Sequence, residues 1–223
     1  MWCLPGAPSA EFVWRMEDVL DLYQSPYDAD HPVVCLDETT KQLVGETRAP
    51  VPPAPGQPAR VDHHYRRNGT ASLFLCIEPL RGRTHVDVRQ RHTRTDLAHV
   101  LRDLVDTHYP HAPRVTVVLD NLVTHTKASL YQAFEPAEAK RIARRLDLRH
   151  TPKHASWLNI AEIGLSILSR QCLNRRIATM PALQRQIQHW LDSHDQHLKP
   201  INWRFTTEDA RIKLRKLYPT ILE

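Results

Sequence analysis

The sequence predicts a mixed α/β domain, in which short apolar strands precede and alternate with amphipathic helices. Three observations carry that prediction. Val115–Leu119 is an apolar, β-branched run of the kind a central strand covered on both faces needs. Residues 33–36, 71–77 and 85–88 read as three further strands that can pair as an antiparallel meander. The segments that follow repeat apolar residues at helical spacing.

Taken in order, residues 10–23 read as a helix, with Phe12, Val13, Met16, Val19, Leu20 and Leu22 at roughly helical spacing. The strand 33–36 ends abruptly at Asp37. Prolines at 50, 52, 53, 55 and 58 bar both ladder and helix, so residues 49–58 read as a surface loop or extended arm. Asn68-Gly69 reads as a turn between strand-like segments. Thr95 is placed to cap a helix running to about residue 108, with Leu97, Val100, Leu101, Leu104 and Val105 on one face. The central strand ends at Asp120, and helices follow over 127–134 and 136–146, Pro136 suiting the first turn of the second. Residues 148–151 are a short strand. Residues 158–176 read as a helix with Leu158, Ala161, Leu165, Leu168 and Cys172 in one stripe and Ser156 as its N-cap. Gly164 interrupts that helix where a helix former is expected, at roughly 1 kcal/mol against Ala in an exposed position. Residues 182–197 form another helix. Thr207-Glu208-Asp209 starts the last, with acidic residues near its N-terminus. The order is β-β-β-α-β-α-β-α with a helical tail, which by itself leaves several α/β folds open.

The chain has 223 residues, 41% hydrophobic and 25% charged, which suits one domain with a sizeable core and appendages. The expected organisation is a helix and linker over 1–30, a main domain over 31–178 and a helical extension over 179–223. No apolar run approaches the ~18 residues a membrane span needs, and no secretory signal is visible. Cys3, Cys35, Cys76 and Cys172 are far apart, which reads as reduced thiols in a cytoplasmic protein. The 14 histidines are not joined by cysteines at finger-like spacing, and this holds for His63-His64, His108/His111, His150/His154 and His194/His197. No phosphate-binding glycine loop and no G-x-S-x-G elbow is present, which sets aside P-loop nucleotide hydrolysis and serine-hydrolase chemistry. Trp157, Trp190 and Trp203 read as core or shoulder residues. Residues 140–223 hold 16 Lys/Arg against 7 Asp/Glu, whereas residues 1–139 hold 14 against 18. A basic last third favours a polyanion partner.

The chemistry gathers at three carboxylates. If the strands ending in Asp37 and Asp120 are neighbours, both side chains emerge at one rim of the sheet. Two such anions repel unless a cation lies between them. Glu162, with 41 residues between it and Asp120, borders the apolar stripe of its helix and can face the same rim. Hard divalent cations take oxygen ligands, and two of them can clamp a phosphodiester for in-line attack.

The order Asp, Asp, Glu with these neighbours resembles the transposases of the IS630/Tc1/mariner group in the DDE superfamily, IS630-family insertion-sequence transposases in particular. The likeness lies in Leu36-Asp37-Glu38, in Asp120-Asn121 followed by His125, and in the stretch from Pro152 through Ser156, Leu158 and Asn159 to Glu162. It covers about residues 32–176. Ile160-Ala161 departs from the Pro-Ile common before that glutamate. The resemblance implies a ribonuclease-H-like fold, a mixed sheet of three antiparallel strands then parallel strands with flanking helices. It implies Asp37, Asp120 and Glu162 as the catalytic, metal-binding triad for two Mg²⁺ or Mn²⁺ ions, with Glu38, Asn121, His125 and Asn159 in support. The implied activity is DNA cleavage at the ends of an insertion sequence and strand transfer to target DNA, by a homo-oligomer on DNA in a prokaryotic nucleoid. Lys153, His154, Arg170, Arg175 and Arg176 read as DNA-binding, with Arg141, Arg144 and Arg145 as further candidates. Relatives usually carry an N-terminal helix-turn-helix, so the expectation is either a fragment of a split or decayed gene or a separate polypeptide that reads the element ends. Two other readings stay open: a remnant that only binds DNA, and a host ribonuclease-H-like nuclease.

Overall fold

The computed structural model of the protein describes residues 4–58, 60, 62–122, 125–195 and 199–220. Cys3 and His197, the end of the helix expected over 182–197, lie outside the described residues. Five strands, β1 (Val33–Glu46), β2 (Tyr65–Glu78), β3 (Arg83–Arg89), β4 (Val115–Leu119) and β5 (Leu146–His150), form one sheet in the order β3-β2-β1-β4-β5. The first three pair antiparallel, and β4 and β5 extend the sheet in parallel from β1. This is the ribonuclease-H-like arrangement. Parallel pairing needs crossovers. Helix α2 (Arg94–Asp103) leads from β3 to β4, and α3 (Ala128–Ala133) and α4 (Pro136–Arg145) lead from β4 to β5.

Alternation along the strands sorts side chains onto two faces. Cys35, Leu73, Leu75, Ile77 and Val118 share a core with α1 (Ala10–Gln24), α5 (Ala161–Leu168), α6 (Met180–Asp195) and α7 (Thr207–Lys213). Val34, Leu36, Phe74, Cys76, Val117 and Leu119 lie in the other core, under α2, α3 and α4. Central β4 is buried along its whole length, as its apolar run requires. Met16 and Leu20 of α1, Ile187 of α6 and Ala210 of α7 all enter the first core, and Trp157, Trp190 and Trp203 lie partly buried against it. Cys35, Cys76 and Cys172 are buried free thiols.

Several local expectations are corrected. Strand β1 runs past Asp37 to Glu46, because β2 keeps pairing with it after β4 has ended. Asn68-Gly69 lies inside β2. The register with β1 shifts between Gln42 and Val44 there, and Gly69 takes φ +102°, so the pair forms a bulge rather than a turn. The proline-rich stretch is the loop from β1 to β2, folded back on itself by bridges Val51–Arg60 and Ala54–Gln57. Thr93, not Thr95, caps α2, in a capping box with Asp96, and the last turn toward residue 108 is π-helical, Leu104–His108. Strand β5 starts at Leu146, directly after α4. The helix expected over 158–176 is a 3₁₀ turn (Ser156–Leu158), then α5, then a π turn (Ser169–Leu173). Ser156 does not cap α5: Ile160 holds the cap position, and Asn159 takes the first free N–H. Gly164 lets α5 lie close on β2, since a Cβ there would stand 2.9 Å from Leu75 Cδ2.

Candidate active site

Neighbouring strands β1 and β4 set Cys35 level with Val118. Carrying that register forward by two residues brings Asp37 level with Asp120. Asp37 falls on the same face as Cys35, the face that α5 covers. Glu162 is in the first turn of α5. The three carboxylates therefore meet at one corner of the sheet, where the parallel half ends.

Asn159 builds that corner. It is 1% exposed, its Nδ2 donates to the Leu36 carbonyl (2.9 Å) and its Oδ1 accepts from the Ala161 N–H (3.1 Å). One amide thus ties the residue before Asp37 to the first residue of the helix bearing Glu162. The Glu162 N–H in turn donates to the Asn159 carbonyl (3.1 Å). Tyr23 of α1 braces the same segment: its hydroxyl donates to the Leu158 carbonyl (2.7 Å) and lies 3.3 Å from Cys35 Sγ. Burial pushes the Cys35 thiol up to about 12, so it is a neutral packing group.

Charge at the corner is unevenly neutralised. Burial raises the Asp37 carboxyl to about 7; the Glu38 N–H on Oδ1 (2.8 Å) opposes this, and the negative charges of Glu38, Asp120 and Glu162 reinforce it. His125, only 2% exposed, is the cation for the others. Its Nδ1 is 2.5 Å from Asp120 Oδ1 and its Nε2 is 3.2 Å from Glu38 Oε2. The second contact is an ion pair off the hydrogen-bond direction, since no donor aligns with Glu38 Oε2. Burial disfavours the imidazolium, but the two carboxylates outweigh it and push its pKa up to about 10. The backbone that carries the ring is held from behind: the His125 backbone N–H donates to the Leu122 carbonyl (3.0 Å), and His150 Nε2 lies 2.6 Å from the His125 carbonyl.

Among the described residues no three His, Cys, Asp or Glu side chains stand close enough to hold one ion. Asp37 stays within electrostatic reach of Asp120 and Glu162 instead, and among the described residues no cation is paired with it. An all-oxygen donor set around an uncompensated, half-buried carboxylate is chemistry that Mg²⁺ or Mn²⁺ fits. Ligation requires the three side chains to draw together.

Asn121 is exposed on the loop after Asp120, and Lys153 and His154 are exposed on the loop before α5, His154 at φ +63°. Arg170 and Arg175 are exposed and bond the carbonyls of Ser166 and Gln171 (3.3 Å each). Arg176 is spent inside the fold, on Glu46 (2.6 Å) and the Asp62 carbonyl (2.9 Å). Arg141 is paired at the surface with Asp106 and Glu138, and Arg145 bonds the Tyr109 and Ala112 carbonyls. Sequence reasoning missed Tyr23, whose helical stripe signalled only packing. It also missed His150 as the support for His125, though its place at a strand end was a signal.

Residues 32–184 match a family described as DDE superfamily endonuclease. No curated protein matches the chain. The fold is similar to the Mos1 mariner paired end complex with Mn, at TM-score 0.53 and 16% identity over 86% of this chain and 58% of that one. It is also similar to the Mos1 transposase paired-end complex with left transposon end, at 0.54 and 15% over 86% and 57%. The mariner Mos1 paired end complex with Mg gives 0.51 and 16% over 98% and 66%. At these identities the likeness is one of fold. The chain spans less than two thirds of the length of these Mos1 chains, from 57% to 66%.

Proposed function

The chain belongs to the DDE superfamily endonucleases, and we propose that within them it is the catalytic domain of an IS630-like transposase, cutting DNA at the ends of an insertion sequence and joining them to target DNA. The observation that carries this reading is the register of β1 on β4, which levels Asp37 with Asp120 beneath the helix of Glu162. Asp37, Asp120 and Glu162 would hold two Mg²⁺ or Mn²⁺ ions, which when bound activate the attacking water or 3′-hydroxyl and stabilise the leaving oxygen.

The chain's own residues do the rest. Asn159 fixes the distance between the Asp37 strand and the Glu162 helix. His125 holds one oxygen of Asp120 and neutralises Glu38, so that the second Asp120 oxygen is kept for the site. Exposed Lys153 and His154, just before α5, are available to the phosphates on either side of the cut. DNA is the partner on this reading, and the Mos1 neighbours are paired-end complexes. Action as a homo-oligomer on DNA, in a prokaryotic nucleoid, and end recognition by a separate helix-turn-helix unit complete the proposal.

The test is Mg²⁺- or Mn²⁺-dependent nicking of a labelled duplex carrying the repeats that flank the gene, with Asp120→Ala at equal concentration. Metal-dependent nicking that vanishes in the variant is expected. Undiminished nicking by Asp120→Ala overturns the assignment. Preference for an RNA–DNA hybrid or four-way junction over the repeats favours a host nuclease instead.

A further inference from the structure

Ligands of open α/β sheets gather at the carboxyl ends of the strands, and here that end carries the triad. The opposite end carries a second concentration of charge. Arg114 immediately precedes β4, and Lys140 and Arg144 lie on α4, which runs directly into β5. All three are exposed and, with Lys127, line a crevice of about 350 Å³.

What marks this cluster is that three cations, unpaired among the described residues, line one crevice. Residues 140–149 hold five Lys/Arg and one Asp. Arg141, Arg145 and Arg149 are taken up by Asp106, by backbone carbonyls, and by Asp18 and Asp147. The one carboxylate lining the crevice, Asp147, is thus paired with Arg149 at 2.9 Å. Lys127 Nζ serves the carbonyl end of α4, bonding Ala143 and Leu146 (3.0 and 2.6 Å), so the attraction of a helix C-terminus for cations is already met. Among the described residues Arg114, Lys140 and Arg144 have no carboxylate within ion-pair distance. Like charges left together at a surface favour an anion between them.

We propose that Arg114, Lys140 and Arg144 form a phosphodiester-binding site for a second DNA duplex, at the opposite end of the sheet from the carboxylates. The inference rests on the DNA reading above. The five residues of β4 separate Arg114 from Asp120, roughly 20 Å over the steps between them at ~3.3 Å each. The carboxylates lie on the face that α5 covers and the crevice on the face that α4 covers, so one straight duplex, stiff over ~150 bp, does not lie on both. A chain with two such ends bridges two duplexes.

The experiment uses beads carrying one duplex and scores capture of a second, fluorescent duplex by the full chain without divalent ions, together with the salt dependence of duplex binding. Arg114→Ala/Lys140→Ala/Arg144→Ala is compared with Arg114→Lys/Arg144→Lys. The alanine variant is expected to lose capture at least ~10-fold and to flatten the slope of log K on log salt by about 2–3, at ~0.9 per phosphate contact. Its circular dichroism and its nicking of a single duplex stay unchanged, and the lysine variant keeps capture. Equal capture and slope in the alanine variant overturn the proposal, as does preferential capture of a structured RNA. Capture without nicking by the unaltered chain sinks the catalytic reading and leaves this one standing. Nicking without capture does the reverse.

Discussion

The two ends of β4 carry opposite charge. Past its last residue stands Asp120, beside Asp37, Glu38 and Glu162, with His125 as the buried cation among them. Before its first stands Arg114, beside Lys140 and Arg144, with no carboxylate paired to them among the described residues. Between the ends, the strand is apolar and fully buried. Elsewhere in the fold several charges are matched, as in Arg141 with Asp106 and Glu138, Arg176 with Glu46, and Arg211 with Glu17. Uncompensated like charge works against a folded chain. Finding it at both ends of one strand, and matched pairs around it, separates the surfaces that serve the fold from those that wait for a ligand: a cation at one end, an anion at the other.

The sharpest way to break that contrast is to remove a carboxylate. Asp37→Ala, Asp120→Ala and Glu162→Ala are each expected to drop metal-dependent nicking to the level of buffer while far-ultraviolet circular dichroism stays native. Retained nicking in any one would remove that residue from the triad.

The next effect is on stability and has a definite sign. In the folded chain the Asp37 carboxyl holds its proton up to about pH 7, against an ordinary value of 3.8. A raised carboxyl contributes stability that is whole below about pH 4 and is lost as pH rises through about 7. Asp37→Asn removes the loss. Without divalent ions it is expected to be more stable than the unaltered protein at pH 8 by roughly 4 kcal/mol, and equal to it at pH 4. Urea unfolding at the two pH values decides, and a difference that does not depend on pH would refute the burial argument.

Asn159→Ala leaves the Leu36 carbonyl and the Ala161 N–H without their partner. The expected cost is about 1–3 kcal/mol of stability and a ~10–100-fold loss of Mn²⁺ affinity, because an outer-shell support of the ligands is gone. Calorimetric titration with Mn²⁺ reads the second. Unchanged affinity in a destabilised variant would reduce Asn159 to a purely structural tie. The smallest effect belongs to the other end: Arg144→Gln should change the unfolding free energy read from urea titration by no more than ~0.5 kcal/mol, as for an exposed residue without ion-pair partners among the described residues. A larger loss would mean that Arg144 is paired within the fold after all.

Much of this was legible beforehand. The element order came from periodicity, and the end of β4 at Asp120 came from the end of its apolar run. Asp37 was found for a slightly different reason than supposed. The apolar run stops there because the parallel neighbour stops, while the strand itself continues along β2. Asn68-Gly69 misled because a tight turn and a bulge ask for the same thing, a residue tolerant of positive φ. Ser156 misled because cap chemistry is local, whereas the start of α5 depends on Asn159, whose amide reaches across to Leu36.

By itself the sequence determined the alternation of strands and helices, the choice of the three candidate carboxylates and the excess of positive charge in the last third, because each depends on residue type and near-neighbour spacing. Tertiary structure alone decided which charges are matched. Whether Arg141, Arg145 and Arg176 are consumed by the fold, whether Arg114 joins Lys140 and Arg144, and whether His125 sits between Asp120 and Glu38 turn on which distant segments share a surface. Coulomb energy follows distance in space and exposure to water, and neither is written in separation along the chain.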